Sequence, residues 1–400
     1  MTKKILPYAG LKVIEFTHMV MGPTCGLILA DLGAEVVKIE PLKGDNTRNL
    51  LGSGAGFFTA FNRNKKSLAV DLKSEEGLSL VKELIRSADV VSENFKPGTM
   101  DKLGLGYETL SKDNPGLVYV SHKGFLPGPY EHRTALDEVV QMMGGLAYMT
   151  GRKGDPIRAG TSVNDIMGGM FGAIGVMAAL KERDLTGKGQ QVQSALFENN
   201  IFLVAQHMMQ YVVTGRAADP MPSRISAWAI YDVFNVKDGE QIFLAVVSDT
   251  QWKIFCDAFE LPELLGNADL QTNNQRVQAR SWLLPLLQER LAGYSKQELA
   301  QLFEANGLPF APISRPEELL EDEHLLKTGG LAPMQMPDGR ETNVPLLPLC
   351  MDGQRLGVRM NPPRLGEHTL SILQDAGLSA AQIETLLANN VIATEQGDKS

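Results

Sequence analysis

An aspartate at the start of a glycine-rich segment is the arrangement in this sequence best suited to chemistry. Asp165 opens a segment that runs to Lys181 and carries glycines at spacings of one, three and three residues: Gly168, Gly169, Gly172 and Gly175. If the segment is helical, Asn164 or Asp165 lies at its N-terminus, where the helix dipole stabilises a carboxylate and keeps it ionised. An ionised carboxylate can act as a nucleophile, whereas an isolated aspartate in this place is more simply a helix N-cap.

The glycines themselves need a physical reason. Glycine costs a helix about 1 kcal/mol per position relative to alanine, so a stable helix that contains several must be compensated elsewhere. The usual compensation is the close approach of another backbone or of a ligand. The sequence leaves both explanations open.

The elements that must position this aspartate are predicted by alternating strand and helix patterns before it. Short apolar runs predict strands at 11–16, 35–40, 67–72, 90–92 and 117–121. Residues 24–32 and a segment capped by Ser74 are typical of helices between those strands. This alternation predicts an α/β fold with a mainly parallel sheet in the right-handed, doubly wound, Rossmann-like topology.

A nicotinamide cofactor is not expected, although strand, turn, helix and strand follow one another as in dinucleotide-binding proteins. Those proteins need closely spaced glycines where the helix N-terminus reaches the pyrophosphate. Here Gly22 and Gly26 are four residues apart and the GxGxxG spacing is absent.

Composition excludes several classes of protein. The 400 residues include 38 Lys and Arg against 47 Asp and Glu, and a net charge of −9 disfavours nucleic acid or anionic membranes as partners. The uncharged run at 166–180 is shorter than the roughly 20 residues of a membrane span. Three widely separated cysteines fit a reduced, cytoplasmic protein, and no CxxC or HExxH motif predicts a metal site.

A change of pattern near residue 225 predicts a second, smaller α+β domain over 225–320. Two apolar runs at 230–236 and 241–247 flank Asp238 and Gly239, which is typical of a β-hairpin. The remaining parts are 1–224, expected to hold the larger domain, and 321–400, which is rich in proline and turn residues and ends in a helix near 380–388.

Several segments together resemble the family III coenzyme A transferases, which include formyl-CoA transferase and carnitine CoA-transferase. The matching blocks follow one another over nearly the whole chain: LKVIEFTHMVMGPTCGLILADLGAEVVKIEPLKGDNTR, FFTAFNRNKKSLAVDLKSEEG, ADVVSENFKPGTMDKLGLGYETL, NDIMGGMFGAIGVMAALKERDLTGKGQQVQSALFEN, GLPFAPI, DEHLLKTGG and PPRLGEHTLSIL. The resemblance implies a large domain built from both chain ends and two chains interlocked as rings in a homodimer.

The resemblance also implies a mechanism. Asp165 would be the nucleophile and would pass through an aspartyl anhydride and an aspartyl-CoA thioester. Coenzyme A would move from an acyl-CoA donor such as succinyl-CoA to a small carboxylic acid, without metal or nicotinamide. Asp137 stands where these transferases carry an acidic residue near the nucleophile, and it is expected to position a water or the substrate.

Coenzyme A contacts are carried over from the same resemblance. The residues concerned are His18, Met19, Val20, Met21, Val70, Leu72, Lys73, Asn94, Phe95, Lys96 and Lys102. The three lysines suit the phosphates. The family's arginine after the second strand is missing, since Pro41 follows Glu40, and Arg48 or Lys43 is expected to replace it. A basic run, Arg63, Lys65 and Lys66, lies in the same half of the chain.

Two other functions are alternatives to CoA transfer. The first is a 2-methylacyl-CoA racemase of the same superfamily, but Leu136 stands where the similar racemases carry their histidine, and His132 is expected in an exposed loop. The second is an acyl-CoA-binding protein without turnover, which the presence of Asp165 disfavours.

The sequence constrains the identity of the donor and acceptor acids only in part. Leu50 replaces a tryptophan of the formyl-CoA transferases, and 220–229 lacks their glycine run, so that substrate pair is disfavoured. Arg158 and Arg224 are candidates to bind the acceptor carboxylate.

Overall fold

The computed structural model describes residues 6–224 and 226–395. The chain divides into two compact units. Residues up to Pro222 and those from Glu323 onward form the larger unit, and Ser223–Asp322 form the smaller one. The larger unit is therefore discontinuous in sequence.

The first half of the chain supplies six strands: β1 Lys12–Phe16, β2 Glu35–Glu40, β3 Lys65–Val70, β4 Val90–Glu93, β5 Val118–Lys123 and β6 Gln191–Ala195. Its helices are α1 Met21–Asp31, α2 Phe57–Phe61, α3 Glu75–Arg86, α4 Thr99–Lys102, α5 Tyr107–Asp113, α6 Asp137–Met143, α7 Leu146–Thr150, α8 Val163–Thr186 and α9 Leu196–Thr214. Ser74 caps α3, as predicted, by accepting a hydrogen bond from the Gly77 N–H at 3.1 Å.

The smaller unit contains strands β7 Ile230–Asn235, β8 Gln241–Val246 and β9 Phe310–Pro312. The first two form the predicted antiparallel hairpin, and β9 pairs with β8. Asp238 and Gly239 turn the chain with φ of 62° and 73°, values that favour short polar residues and glycine. Its helices are α10 Asp249–Ala258, α11 Pro262–Leu265, α12 Asn273–Gln278, α13 Arg280–Leu291 and α14 Lys296–Ala305.

The C-terminal part of the chain returns to the larger unit. It contains α15 Glu323–Lys327, β10 Leu331–Gln335, β11 Glu341–Pro345, β12 Cys350–Met351, β13 Gln354–Arg355, α16 Thr369–Asp375, α17 Ala380–Ala388 and β14 Ile392–Ala393. Strand β14 pairs antiparallel with β3 at the edge of the main sheet.

The main sheet has the strand order β14-β3-β2-β1-β4-β5-β6. Strands β1 to β6 are all parallel. The chain therefore builds outward from β1 to β3, then returns to β4 and builds outward on the other side, which is the doubly wound order. The predicted α/β fold with a large parallel-sheet domain is confirmed.

Apolar side chains cover both faces of this sheet, as a parallel sheet requires. Along β1, Val13 packs on the face covered by α1 and α8, whereas Ile14 packs on the face covered by α3, α16 and α17. Strand β3 begins at Lys65, two residues earlier than the apolar pattern predicted, because the buried Lys65 ammonium is paired with the Glu15 carboxylate at 2.9 Å.

Helix α8 is long and apolar enough to cross a membrane by length and composition alone, with a mean hydropathy of 1.5 over its most apolar stretch. It packs against α1, β5, β6 and α9 in the larger unit. A buried core helix meets the same criteria, so the finding is weak evidence for a membrane span.

Candidate active site

The larger unit has a crevice where its strand order reverses, between β1 and β4. In doubly wound sheets ligands bind outside the carboxyl ends of the strands at this point. The segment after β1 contains His18 and Met19, and the segment after β4 contains Asn94 and Phe95. The sheet order thus brings His18 beside Asn94, which is 76 positions away in sequence.

A cavity of about 700 Å³ opens at this crevice, and its walls come from the segments that follow β1, β2, β3 and β4. This volume is typical of a site for a small-molecule ligand or cofactor. Six of the predicted coenzyme A contacts line it: His18, Met19, Val70, Leu72, Lys73 and Phe95.

The other five predicted contacts lie around it. Val20 and Met21 are buried at the start of α1. Asn94 holds His18 through two hydrogen bonds: the His18 N–H donates to Asn94 Oδ1 at 3.1 Å, and Asn94 Nδ2 donates to the His18 carbonyl at 2.8 Å. Lys96 and Lys102 are exposed, in the segment after β4 and at the end of α4.

His18 forms part of the wall as a neutral ring. Its ring centroid lies 5.9 Å from that of Phe95. Burial lowers the pKa of His18, and Lys38 lowers it further, against the opposing influence of Asp45. Neutral imidazole beside an aromatic ring suits stacking and hydrogen bonding with a ligand.

Met19 has a backbone conformation that side chains rarely adopt. Its φ is 63°, and its N–H donates to the Thr47 hydroxyl at 2.9 Å. Such conformations cost on the order of 1 kcal/mol or more and are concentrated at functional sites. The hydrogen bond from Met19 joins the segment after β1 to the segment after β2, so two walls of the cavity are fixed to each other.

Buried ion pairs hold the wall that follows β2. Lys38 pairs with Asp45 at 3.0 Å. Arg48 contacts both carboxylate oxygens of Glu40, at 2.6 and 2.8 Å, and stacks over the Phe58 ring. Arg48 is therefore occupied by Glu40. Lys43, the alternative predicted for the phosphate, is exposed on the cavity wall.

The three cations of the basic run after α2 are also paired with carboxylates. Arg63 is buried and pairs with Asp31 at 2.6 Å, Lys65 is buried with Glu15, and Lys66 pairs with Glu35 at 2.9 Å. Burial lowers the pKa of Lys65 to about 8, against the influence of Glu15. These three cations stabilise the sheet rather than line the cavity.

Asp165 lies in the first turn of α8, and its role differs from that of a simple N-cap. The cap comes from Asp137, whose Oδ2 accepts hydrogen bonds from the Asn164 N–H at 2.8 Å and the Asp165 N–H at 3.1 Å. Gln141 Nε2 donates to the other Asp137 oxygen. The side chain of Asp165 is thus left for chemistry, and Asp137 fixes its backbone.

The ionised form of the Asp165 carboxyl is less favoured than its position at a helix N-terminus predicted. Burial, together with the neighbouring charge of Asp137, raises the pKa of Asp165 to about 7. The expectation that the helix dipole keeps this carboxylate firmly ionised is wrong, because desolvation and like-charge repulsion outweigh the dipole. A carboxylate that is poorly solvated is also a stronger nucleophile.

The glycines of α8 allow α1 to approach closely. A Cβ at Gly169 would lie 2.5 Å from the Met21 carbonyl oxygen and 2.5 Å from Thr24 Cβ, and a Cβ at Gly168 would lie 2.3 Å from Met21 Cε. Of the two explanations left open, the approach of another backbone is the one found here. Met21, two residues after the cavity-lining Met19, therefore packs against the part of α8 that lies three and four residues after Asp165.

Histidines do not supply a base beside Asp165 in the described residues. Leu136 is 60% exposed just before α6, and His132 is 84% exposed beside Glu131. His122 is buried against α8 with its Nε2 3.2 Å from the Ser92 hydroxyl, and burial lowers its pKa to about 3. The racemase interpretation therefore lacks its proton acceptor in this part of the chain.

The two arginines considered for the acceptor have different surroundings. Arg158 contacts Glu138, the neighbour of Asp137, and the next residue, Ala159, donates its N–H to Gln141 Oε1 at 2.8 Å. Arg158 is thus fixed near the start of α8 through α6. Arg224 is exposed at the beginning of the smaller unit.

Several site residues were missed in the sequence. They are the amides Gln141, Asn199 and Asn200, which are buried near the start of α8 together with Asn164, the residue that the sequence had placed at the helix N-terminus. The two consecutive asparagines after β6 were the one sequence feature that could have indicated these site residues. Their place in the site follows only from the packing of α9 on α8. Within 6–224 and 226–395 no group of three or more His, Cys, Asp or Glu side chains is arranged to hold a metal ion.

Comparison with known proteins identifies the family. The sequence profile described as CoA-transferase family III matches residues 8–369. The chain belongs to this family. An acyl-CoA transferase from Fusarium pseudograminearum is 34% identical over 400 aligned residues, which cover 96% of this chain and 88% of the relative. The succinyl-CoA:glutarate CoA-transferase of Mus musculus is 32% identical and covers 96% of this chain and 90% of its own length.

A solved structure supports the same assignment for this family III member. A CaiB/BaiF family protein from Brucella suis superposes with a TM-score of 0.84 at 34% identity, covering 93% of this chain and all of the solved chain.

Proposed function

We propose that this protein transfers coenzyme A from succinyl-CoA to a dicarboxylic acid, with Asp165 as the nucleophile. The observation that carries the proposal is a half-buried aspartate on the first turn of α8, a helix that packs against Met21. Met21 lies two residues after Met19, which lines a cavity of suitable size at the switch point. Family membership supplies the reaction class.

The names of relatives narrow the substrate class. Those that use succinyl-CoA pair it with glutarate, mesaconate or D-citramalate. All three acceptors are dicarboxylic acids, as is the succinate that leaves. We therefore propose an acceptor with a second carboxylate, bound by a cation such as Arg158, whose guanidinium is held beside Glu138.

The proposed reaction needs four acyl transfers. The Asp165 carboxylate attacks the thioester carbon of succinyl-CoA, the C–S bond breaks, and a mixed anhydride and CoA thiolate result. The thiolate attacks the Asp165 side-chain carbonyl, releases succinate and forms the aspartyl-CoA thioester. The acceptor carboxylate then attacks the same carbonyl and expels the thiolate. The thiolate finally attacks the acceptor acyl carbon, which gives the new thioester and frees Asp165.

Coenzyme A binding in the cavity is proposed for Lys43 and Lys73, which project from the segments after β2 and β3. Exposed lysines at one cavity suit a polyphosphate. Substitution of either lysine by alanine should weaken CoA binding in calorimetry, and more at low salt than at high salt. Lys112→Ala, an exposed lysine on α5, is the matched control; equal losses in all three variants would contradict the assignment.

The nucleophile is tested by trapping it. Wild-type protein incubated with succinyl-CoA and then hydroxylamine should yield a hydroxamate at Asp165, detected by peptide mass spectrometry. Asp165→Asn should abolish both the hydroxamate and the exchange of CoA into glutarate. Asp184→Asn, on an exposed position of the same helix, is the control and should behave as wild type. Undiminished exchange in Asp165→Asn would exclude the proposed mechanism.

We also propose a homodimer, for which the resemblance implies interlocked rings. Support comes from apolar side chains that α9 leaves exposed, including Phe202 at 67%, Val212 at 69% and Val213 at 82%. Several large apolar side chains exposed on one helix favour an interface with a second chain. Light scattering should give twice the chain mass, and Phe202→Glu should lower it. A wild-type monomer at micromolar concentration would contradict the proposal.

A cytoplasmic location stays a prediction. The thiols Cys25, Cys256 and Cys350 are free, which is consistent with a reducing compartment. Fluorescent fusion in the source cell would test it, and an exported protein would overturn it.

A further inference from the structure

Three buried amide side chains at the start of α8 and α9 leave hydrogen-bonding atoms without a partner among the described residues. The atoms are Asn164 Oδ1, Asn199 Nδ2 and Asn200 Nδ2. The side chains are buried, with Asn199 only 6% exposed. A buried polar group without a partner is costly, so each one requires an explanation. Asn164 Nδ2 donates to Asn200 Oδ1 at 3.1 Å, so each of these two amides keeps one hydrogen bond, whereas the Asn199 donor belongs to a side chain that forms none with the described residues.

The position of Asn199 is fixed by its neighbours. The Phe197 N–H donates to the Gly124 carbonyl at 3.1 Å, and the Glu198 carboxylate accepts from the Leu126 N–H at 3.3 Å. Just before α9, the Ser194 hydroxyl donates to the Gly168 carbonyl at 2.9 Å. The first turn of α9 is therefore held against both the segment after β5 and the helix that carries Asp165.

The geometry of α8 relates Asn199 to Asp165. In a helix every Cβ leans toward the N-terminus, so a side chain at position 168 would lie over the turn that contains Asn164 and Asp165. The space such a Cβ would fill lies 2.8 Å from Asn199 Nδ2 and 2.3 Å from Met21 Cε. The unpartnered donor of Asn199 therefore reaches the face of α8 one turn after Asp165.

The surroundings make this donor strong. Met21, which borders the same space at Gly168 as Asn199 Nδ2, belongs to a buried apolar cluster with Phe125, Val140 and Leu196. A donor fixed in apolar surroundings interacts more strongly with a developing negative charge than it would in water, and it needs no reorganisation during the reaction.

We propose that Asn199 is a further catalytic residue, whose Nδ2 donates a hydrogen bond to the side-chain oxygen of acylated Asp165. This oxygen gains negative charge whenever CoA thiolate or a carboxylate attacks the Asp165 carbonyl. Asn199 forms no covalent bond and keeps its protons, while the attacking and leaving groups exchange at Asp165. The inference rests on the proposed function, since it assumes that Asp165 is acylated.

The test is a single-turnover measurement of aspartyl-CoA thioester formation with Asn199→Ala. Loss of one oxyanion donor should slow this step by about 10²- to 10³-fold and change KM for succinyl-CoA little. Val204→Ala, which trims a buried side chain on the same helix, is the control for general destabilisation and should form the thioester at the wild-type rate.

A second variant separates catalysis from packing. Asn199→Asp keeps the shape of the side chain but replaces the amide donor with a carboxylate. This variant should form the aspartyl-CoA thioester slowly, and the acid limb of its pH profile should move to higher pH. Thioester formation within threefold of wild type in either variant would overturn the inference while leaving the proposed function intact. Absence of any thioester in wild-type protein would overturn both.

Discussion

At the scale of single residues, Asp165 combines a helix N-terminus with an unfavourable environment for its charge. The glycine-rich segment in the sequence predicted the position of Asp165 correctly. The helix N-terminus predicted a lowered pKa for its carboxyl, whereas the pKa is raised. Burial and Asp137 are products of tertiary structure, and Asp137 comes from a helix that begins 28 residues earlier. Only packing brings the two carboxylates together, so no local pattern could have revealed the raised pKa.

The pH dependence of activity follows from this pKa. Since the nucleophile must be ionised and the pKa of Asp165 is raised to about 7, kcat/KM should rise with pH through neutrality and level off above it. Asp137→Asn removes the like charge and should move this acid limb to lower pH. Initial rates between pH 5 and 9 measure the limb. Glu138→Gln is the matched control, and an equal movement in that variant would contradict the role of Asp137.

The stability of the protein should depend on the same group. The Asp165 carboxyl has an ordinary pKa of 3.8 when unfolded and about 7 when folded, so the folded state binds more protons between these values. The contribution of the Asp165 carboxyl to the free energy of unfolding is therefore fully present below pH 3.8 and is lost as pH rises toward 7. At about 1.4 kcal/mol per pKa unit the loss is at most about 4 kcal/mol.

Urea unfolding of Asp165→Asn measures this loss, because asparagine does not ionise. The variant should exceed wild type in free energy of unfolding at pH 8 and approach it at pH 5. Asp184→Asn should show no such trend. A difference that is constant with pH would show that the Asp165 charge does not oppose folding.

At the scale of elements, the sequence predicted most strands and helices of the larger unit because apolar periodicity and turn residues are local signals. It placed β3 two residues late because Lys65 is a charged residue in a buried position, and the pairing with Glu15 that permits this is 50 residues distant. It left the glycines of α8 unexplained because their partner, α1, lies more than 130 residues earlier.

Substitution at the contact between α1 and α8 tests that explanation. Gly169→Ala places a Cβ against the Met21 carbonyl oxygen and Thr24, neither of which can rotate away easily, so the helices must separate. We expect a loss of about 1 to 3 kcal/mol in the free energy of unfolding, with reduced activity. Thermal and urea unfolding measure it.

Gly56→Ala is the control for that substitution. A Cβ at Gly56 meets no atom of the described residues within 4 Å, and its φ of −88° suits any residue. Gly56→Ala should leave the free energy of unfolding unchanged or slightly higher, because alanine restricts the unfolded chain. An equal loss in both variants would show that the contact between α1 and α8 is not the cause.

At the scale of the whole molecule, the C-terminal part of the chain is joined to the larger unit through Asn64. Its Oδ1 accepts from the N–H groups of Arg359 and Met360 at 2.6 and 2.8 Å, and its Nδ2 donates to Asp31 at 2.7 Å and to the Gly357 carbonyl at 3.2 Å. One buried side chain thus joins segments that are up to 296 residues apart in sequence.

Asn64→Ala should release this connection. Loss of four buried hydrogen bonds, at about 1 kcal/mol each, predicts a decrease of about 4 kcal/mol in the free energy of unfolding and faster hydrogen exchange around 357–360. Asn390→Ala is the control, because Asn390 is exposed and shares the positive φ, 53° against 62°. A comparable decrease in both variants would attribute the effect to backbone conformation.

The edge strand β14 has a consequence for biosynthesis. It pairs with Ala69 and Val70 of β3, and Val70 lines the cavity proposed for coenzyme A. A ribosome that makes this chain completes all of Ser223–Asp322 before β14 emerges. The smaller unit can therefore fold during translation. The larger unit can complete its main sheet only after the C-terminal part has emerged, and until then the edge of β3 is unpaired. Chaperones that bind nascent strands would meet this protein at β3.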